Sequence, residues 1–261
     1  MKASWMTYGV LKDLSRTDLL EVLSANDFEG VEFRTDAKQG HGVEASLNAD
    51  ERKQVIADCD AAGIKIISVA SGNSYHHPDA AELRKHIDET KVRMDLAKDL
   101  GAPRVRVFGN NFPKEVPKEK TLAQVTEALK EISDYGAGMG VKPSLELHGE
   151  FDWQSTSKIA QDLNHDNFGL IWNSVSSDIV DGSLEKAVET VWPWLDHVHM
   201  HDLAGQGYPY RELFQRLHDK GYQNYMSAEA ERRAEHPAGD LPMFVAYYAE
   251  LFKAYRDLAR K

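Results

Sequence analysis

Short runs of apolar residues alternate with longer amphipathic stretches from one end of the chain to the other. The short runs read as strands: SWMTYGVL (4–11), GVEFR (30–34), IKIISVAS (64–71), RVRVFG (104–109), KPSLELH (142–148), FGLIWNS (168–174), HVHMHD (197–202) and NYMSAE (224–229). Between them, ADERKQVIADCDAAG, ELRKHIDETKVRMDLAKDLG, TLAQVTEALKEISDYGAGMG and YRELFQRLHDKG have helical character, and MFVAYYAELFKAYRDLA follows the last strand. Gly63, Gly101, Gly140 and Gly221 stand directly or nearly before a strand, where a helix C-cap belongs. The pattern is eight strand–helix units of about 30 residues with no linker between them. It predicts an α/β fold with a parallel sheet closed into a (β/α)8 TIM barrel, one domain over residues 1–261. A doubly wound open sheet is the alternative, but it normally uses fewer strands at this length.

Loop lengths give the barrel a direction. Helix-to-strand turns such as LGAPRV and KGYQNY are tight, whereas RTDAKQGHGVEASLNAD, GNSYHHPD, GNNFPKEVPKEK and ERRAEHPAGDLP are long strand-to-helix loops. In a parallel barrel these long loops gather at the C-terminal face, where active sites sit.

Composition narrows the chemistry. The net charge of −11, without a basic cluster, disfavours nucleic acid, which needs a cationic stripe to displace counterions. Cys59 has no partner for an internal disulfide, and MKASWMTYGVL has no long apolar segment of a signal peptide. No run approaches the ~18 apolar residues of a membrane span, so the expected location is cytoplasmic. Neither a Walker loop nor GxGxxG is present, so nothing supports a nucleotide cofactor.

Polar residues at the ends of apolar strands carry the functional signal. In SLELHGEF, Ser144, Glu146 and His148 share a face, and MSAEAE repeats the arrangement with Ser227, Glu229 and Glu231. A carboxylate inside a packed barrel costs several kcal/mol unless it is paired or binds a metal. LIWNS adds Asn173 and HVHMHD adds histidines, so four successive strands deliver Glu, Asn, His and Glu to one end. Singly, each has a plainer role: an ion pair, a hydrogen-bonded core histidine, an Asx-turn. Together they form a mixed nitrogen and oxygen set suited to Mn, Co, Mg or Zn.

GVEFR, LELHGEF, HVHMHD and GYQNYMSAEAE, in this order over nearly the whole chain, resemble the xylose isomerase-like barrel superfamily. FRTDAKQGHGVE, WNS and YPYRELF look like a sugar isomerase/epimerase-like branch of it. In related ketose 3-epimerases a divalent metal is held by Glu, Asp, His and Glu from the fifth to eighth strands. The resemblance implies Glu146, Asn173, His199 and Glu229 as metal ligands, with Glu146 and Glu229 as the catalytic acid/base pair. Asn173 departs from the pattern. With two glutamates and a neutral histidine, the site becomes formally neutral when a divalent cation binds, which weakens affinity and leaves a stronger Lewis acid. Ser176 also stands where the relatives have a histidine, so the expected substrate contacts on this strand differ from those of the ketose 3-epimerases.

His197 and His201 are about 13 Å apart along a strand, so the three histidines cannot share one ion. His199 is then the ligand, His197 a deeper core residue, and His201 a residue of the mouth. Arg34, His41, His148 and His201, at or beyond strand ends, are candidates for holding substrate hydroxyl or carboxylate groups; His76 and His77 are weaker ones. The expected activity is metal-dependent isomerisation or epimerisation of a small keto-sugar through an enediolate, and the absence of a phosphate cradle favours a non-phosphorylated one. A dehydratase or hydratase on a keto-sugar or inosose-like substrate is the runner-up, and a non-catalytic sugar-binding protein the third reading. A nuclease is weakest, because the related nucleases use more His and Asp ligands. Homo-oligomers are common among the relatives, and nothing in the sequence fixes the number.

Overall fold

Eight parallel strands pair in chain order and close into a barrel. They are β1 (Lys2–Met6), β2 (Gly30–Arg34), β3 (Lys65–Ser74), β4 (Arg104–Asn110), β5 (Lys142–Gly149), β6 (Gly169–Trp172), β7 (Leu195–Met200) and β8 (Tyr225–Ala228). The helices that follow them are α1 (Arg16–Ser24), α2 (Ala49–Ala61), α3 (Ala80–Leu100) and α4 (Lys118–Ala137) in the first half. The second half has α5 (Trp153–Leu163), α6 (Glu185–Val191), α7 (Tyr210–Asp219) and α8 (Leu241–Ala259). This computed structural model describes residues 1–205, 207–231 and 241–261. Most of the loop ERRAEHPAGDLP therefore lies outside the described residues.

The sequence explains several element ends. Ser15, Asn48, Asp79 and Asp152 cap α1, α2, α3 and α5 by accepting from first-turn backbone N–H groups, and Asn48 forms a full capping box with Glu51. Gly101 closes α3 with φ 71°, a left-handed conformation that favours glycine. Three strands are shorter than the apolar pattern predicts, β8 by one residue at each end and β1 and β6 by more. SWMTYGVL leaves the sheet after Met6 and turns through a 3-10 segment at Gly9–Leu11, because Gly9 has φ 64° and packs its backbone against Ala230. FGLIWNS ends at Trp172, because Ser174 adopts φ 53° and its hydroxyl donates to the His199 carbonyl at 2.8 Å.

Strand alternation sorts side chains into two layers. Outward residues such as Val107, Leu145, Leu147, Leu170 and Val198 join helix residues such as Leu96, Leu129, Ile159 and Phe214 in one apolar core. The inner face is mostly polar: Ser4, Glu32, Ser68, Arg104, Arg106, Ser144, Glu146, His197, His199 and Ser227 are all buried. The register sets Arg106 level with Ser144, and His199 with Ser227. At the closed end, Arg104 donates to both oxygens of Asp196 (2.7 and 3.3 Å), which also accepts from Ser144 Oγ at 2.9 Å. Among the described residues, no helix is long and apolar enough to cross a membrane.

Candidate active site

Glu146, His199 and Glu229 converge at the C-terminal end of the barrel. His199 Nδ1 lies 3.6 Å from Glu146 Oε2 and 3.5 Å from Glu229 Oε2, and the three offer ligand atoms within 4.8 Å of one another. Glu146 and His199 are completely buried, whereas the Glu229 side chain keeps 14% exposure. Glu229 lies one residue past β8, and its N–H continues the ladder by donating to Met200 O at 2.8 Å. Asn173 directly follows β6, the strand between those carrying Glu146 and His199.

Among the described residues, buried atoms without a hydrogen-bond partner include Glu146 Oε1, Asn173 Oδ1, His199 Nδ1 and Glu229 Oε2. One such atom thus falls on each of the four residues that the resemblance implies as ligands. Buried polar atoms are ordinarily paired, and four open ones at neighbouring strand ends suit a cation. Glu32, His197 and His199 also approach closely enough to form a metal-type group. There, however, the facing atoms satisfy one another: Glu32 Oε2 accepts from His199 Nε2 at 3.0 Å and from His197 Nε2 at 3.2 Å.

Two inward residues escaped the sequence reading. Arg106, 4% exposed in its side chain, donates from Nη1 to Glu146 Oε2 at 2.9 Å and from Nη2 to Ser71 O at 2.9 Å. The formal charge counted from the four ligands alone omits this guanidinium, which adds one positive charge beside Glu146. Glu32 is the other, a fully buried carboxylate that also accepts from Ser68 Oγ at 3.0 Å. Both carry the signal that identified Glu146: a charged residue flanked by apolar neighbours at strand spacing, as in VEF and VRV.

Charge balance follows these contacts. Burial works to raise the Glu146 carboxyl, but Arg106 and His199 outweigh it and hold it down at about 2. Burial works to lower His199, but the surrounding Glu32 and Glu146 carboxylates lift it well above the ordinary imidazole value. A cation seated among these carboxylates would compete with the Nδ1 proton.

The four residues suggested for substrate contact separate into two kinds. His148 is exposed at the mouth, bonded through Nδ1 to Asn110 Oδ1 (2.9 Å) and packed on the Phe108 ring. His201 is half-buried just beyond β7; its Nδ1 donates to Glu229 O at 3.2 Å, and its N–H donates to Tyr210 OH. With Ser174, Tyr208 and Tyr210, it lines a cavity of about 310 Å³. Arg34 ends β2, pairs with Asp36 at 3.0 Å, and lies flat against Gly72, where a Cβ would meet its Nη2 at 2.9 Å. His41 is not part of the cluster: it is 2% exposed, its Nδ1 accepts from Val43 N–H at 3.0 Å, and its Nε2 meets Thr7 Oγ1 at 3.0 Å. Burial pushes His41 down to about 4, so it is a neutral fastener between loops. His76 and His77 stack with His86 at 4.4 Å spacings and stand outside the possible metal groups among the described residues.

Residues 20–246 match the family model described as xylose isomerase-like TIM barrel. The chain belongs to that family. Part of it is similar to an inosose isomerase from Bacillus licheniformis, 28% identical over 116 residues, 42% of each chain. The match thus spans less than half of that curated relative. Among solved structures, D-psicose 3-epimerase from Clostridium cellulolyticum H10 with D-tagatose superposes with a TM-score of 0.83, at 16% identity over 99% of both chains. The IOLI protein with a bound zinc atom gives a TM-score of 0.78, at 19% identity over 99% of this chain and 98% of that one. At these identities the structural likeness establishes the shared barrel.

Proposed function

We propose that the protein is a divalent-metal-dependent isomerase or epimerase of a small keto-sugar. The observation that carries this reading is the set of four open atoms, Glu146 Oε1, Asn173 Oδ1, His199 Nδ1 and Glu229 Oε2, at successive strand ends. Sugar epimerases and a zinc-bearing protein among the structural neighbours support it. Glu146, Asn173, His199 and Glu229 would hold the cation. Bound there, it would supply Lewis acidity toward a sugar carbonyl and stabilise negative charge on the adjacent oxygen.

The residues of the chain supply the proton chemistry. Glu229, at the open side, exchanges a proton with the carbon beside the carbonyl, and Glu146 serves the opposite face of the sugar. Arg106 fixes Glu146 Oε2 and thereby the direction in which Oε1 is presented. It also adds a positive charge near the enediolate formed when the proton leaves. His148, His201 and Arg34 hold the sugar's polar groups at the mouth. Incubation with Mn²⁺ or Co²⁺ and a panel of ketoses and inososes in deuterated water tests the reading. Deuterium at a carbon beside the carbonyl, without loss of water, is the expected outcome. A deoxy or unsaturated product would make the protein a lyase instead, and no exchange with any substrate would remove the catalytic reading.

A further inference from the structure

Glu32 stands on β2, and β8 and β1 separate it from β7 in the barrel. Its carboxylate is nevertheless the point on which both inward β7 histidines converge. Nε2 of His197 and Nε2 of His199 meet the same oxygen, Oε2, at 3.2 and 3.0 Å, with the two rings 87° apart. Ser68 Oγ donates to the other oxygen, Oε1, at 3.0 Å. The residue is completely buried, so no water replaces a lost contact at low cost. A carboxylate only accepts, so His199 Nε2, whose partner is Glu32, carries a proton; His197 Nε2 also meets the Ser227 hydroxyl at 2.9 Å. His199 then has Nδ1 alone to offer on the side of Glu146 and Glu229.

We propose that Glu32 is a positioning residue that locks the His199 ring so that Nδ1, and not Nε2, is the atom presented to a divalent cation. The inference rests on the ligand set proposed above, and it goes beyond it by assigning a task to a residue that touches neither cation nor substrate. Rotation of the ring would give up a charge-assisted hydrogen bond in a dry interior. A carboxylate on the second nitrogen of a ligating histidine also raises its basicity, and losing such a partner typically lowers metal affinity 10–100-fold.

The test uses purified metal-free protein, zinc as the probe, a chelator competition for affinity, and ¹⁵N NMR of the imidazoles. In the zinc-loaded wild type, His199 is expected to bind zinc through Nδ1 and to keep a hydrogen-bonded proton on Nε2. Zinc on Nε2 would overturn the proposal whatever any variant does. Glu32→Gln should weaken zinc binding roughly 10–100-fold and broaden or remove the Nε2 proton signal. Ser68→Ala removes a donor to the same carboxylate without touching His199, and should change affinity by less than about threefold. A folded Glu32→Gln protein with wild-type affinity and an unchanged Nε2 signal would overturn the proposal. So would equal losses in both variants, since these would trace to general loosening of the interior. Failure of the wild type to bind zinc would defeat the ligand set as well, whereas zinc bound as described but no turnover of any sugar would defeat only the reaction.

Discussion

On β5, Leu145 and Leu147 point outward into the apolar layer beneath the helices, while Ser144 and Glu146 point inward to Asp196 and Arg106. The same division runs along β4, where Val105 and Val107 face out and Arg104 and Arg106 face in, and along β7, where Val198 and Met200 face out and His197 and His199 face in. The two faces follow different physics. The outer face gains from area removed from water, is non-directional, and accepts any well-fitting apolar neighbour. The inner face departs from the branched apolar layers usual in such barrels, and each of its groups must find a partner or be costly. Partnering is extensive at the closed end, around Arg104, Asp196 and Ser144. Toward the open end, Glu146, Asn173, His199 and Glu229 each retain an open atom. The fold's stability and its chemistry are thus written on alternate residues of the same strands.

The strongest way to break this comparison is to alter the two glutamates separately. Glu229→Gln should lower kcat by about 10²–10⁴ while leaving the urea midpoint nearly unchanged, since Glu229 is partly exposed. Glu146→Gln should lose activity to the same degree and also about 3–5 kcal/mol of stability, because Arg106 is left as an uncompensated buried charge. Equal stability of the two variants would show that Arg106 does not depend on Glu146. A buried inner charge would then tolerate the loss of its partner, as the outer face tolerates a change of neighbour.

The outer face gives the converse. Leu145→Ala, one residue from Glu146 but pointing the other way, should cost about 2–5 kcal/mol in urea unfolding. Activity per folded molecule should stay within about twofold. A large fall in kcat without loss of stability would mean that the outer layer helps aim Glu146, and the separation of the faces would fail.

The outer face was also the legible one. Apolar spacing and glycine positions sufficed to predict the closed barrel, because periodic burial is a local property of sequence. Glu146 and Glu229 stood out for the same reason, as charges at strand spacing near long loops. Arg106 and Glu32 carried that signal too, but their meaning lies in partners far along the chain: Arg106 meets Glu146 40 residues away, and Glu32 meets His199 167 residues away. No spacing rule reports contacts across a closed barrel. His41 shows the opposite limit: spacing placed a loop histidine near the mouth, but could not report that it is buried with its two nitrogens bonded to Val43 and Thr7.

One group does not respect the division and sharpens it. Asp178 follows β6 and is completely buried among residues of the outer layer. Its Oδ2 accepts from Tyr208 OH and Val175 N–H, each at 2.9 Å, and Tyr208 OH in turn accepts from the indole N–H of Trp172 at 2.8 Å. Oδ1 has no hydrogen-bond partner among the described residues, and burial, only partly opposed by these hydrogen bonds, pushes the carboxyl up to about 7. The folded protein therefore holds a proton there that the unfolded chain, with an ordinary value near 3.9, releases. The associated stability is fully present below about pH 4 and is lost as pH rises through about 7. Complete conversion of the shift would give about 4 kcal/mol, and loop relaxation that admits water should reduce it to on the order of 2 kcal/mol. Asp178→Asn keeps an acceptor for Tyr208 and Val175 but cannot ionise. Urea melts at pH 5 and pH 8 should show the wild type losing stability relative to this variant at the higher pH. A difference that stays constant with pH would mean that Asp178 is already ionised and solvated at pH 5. The outer layer would then tolerate a charge as the inner one does, and the contrast between the faces would be one of degree.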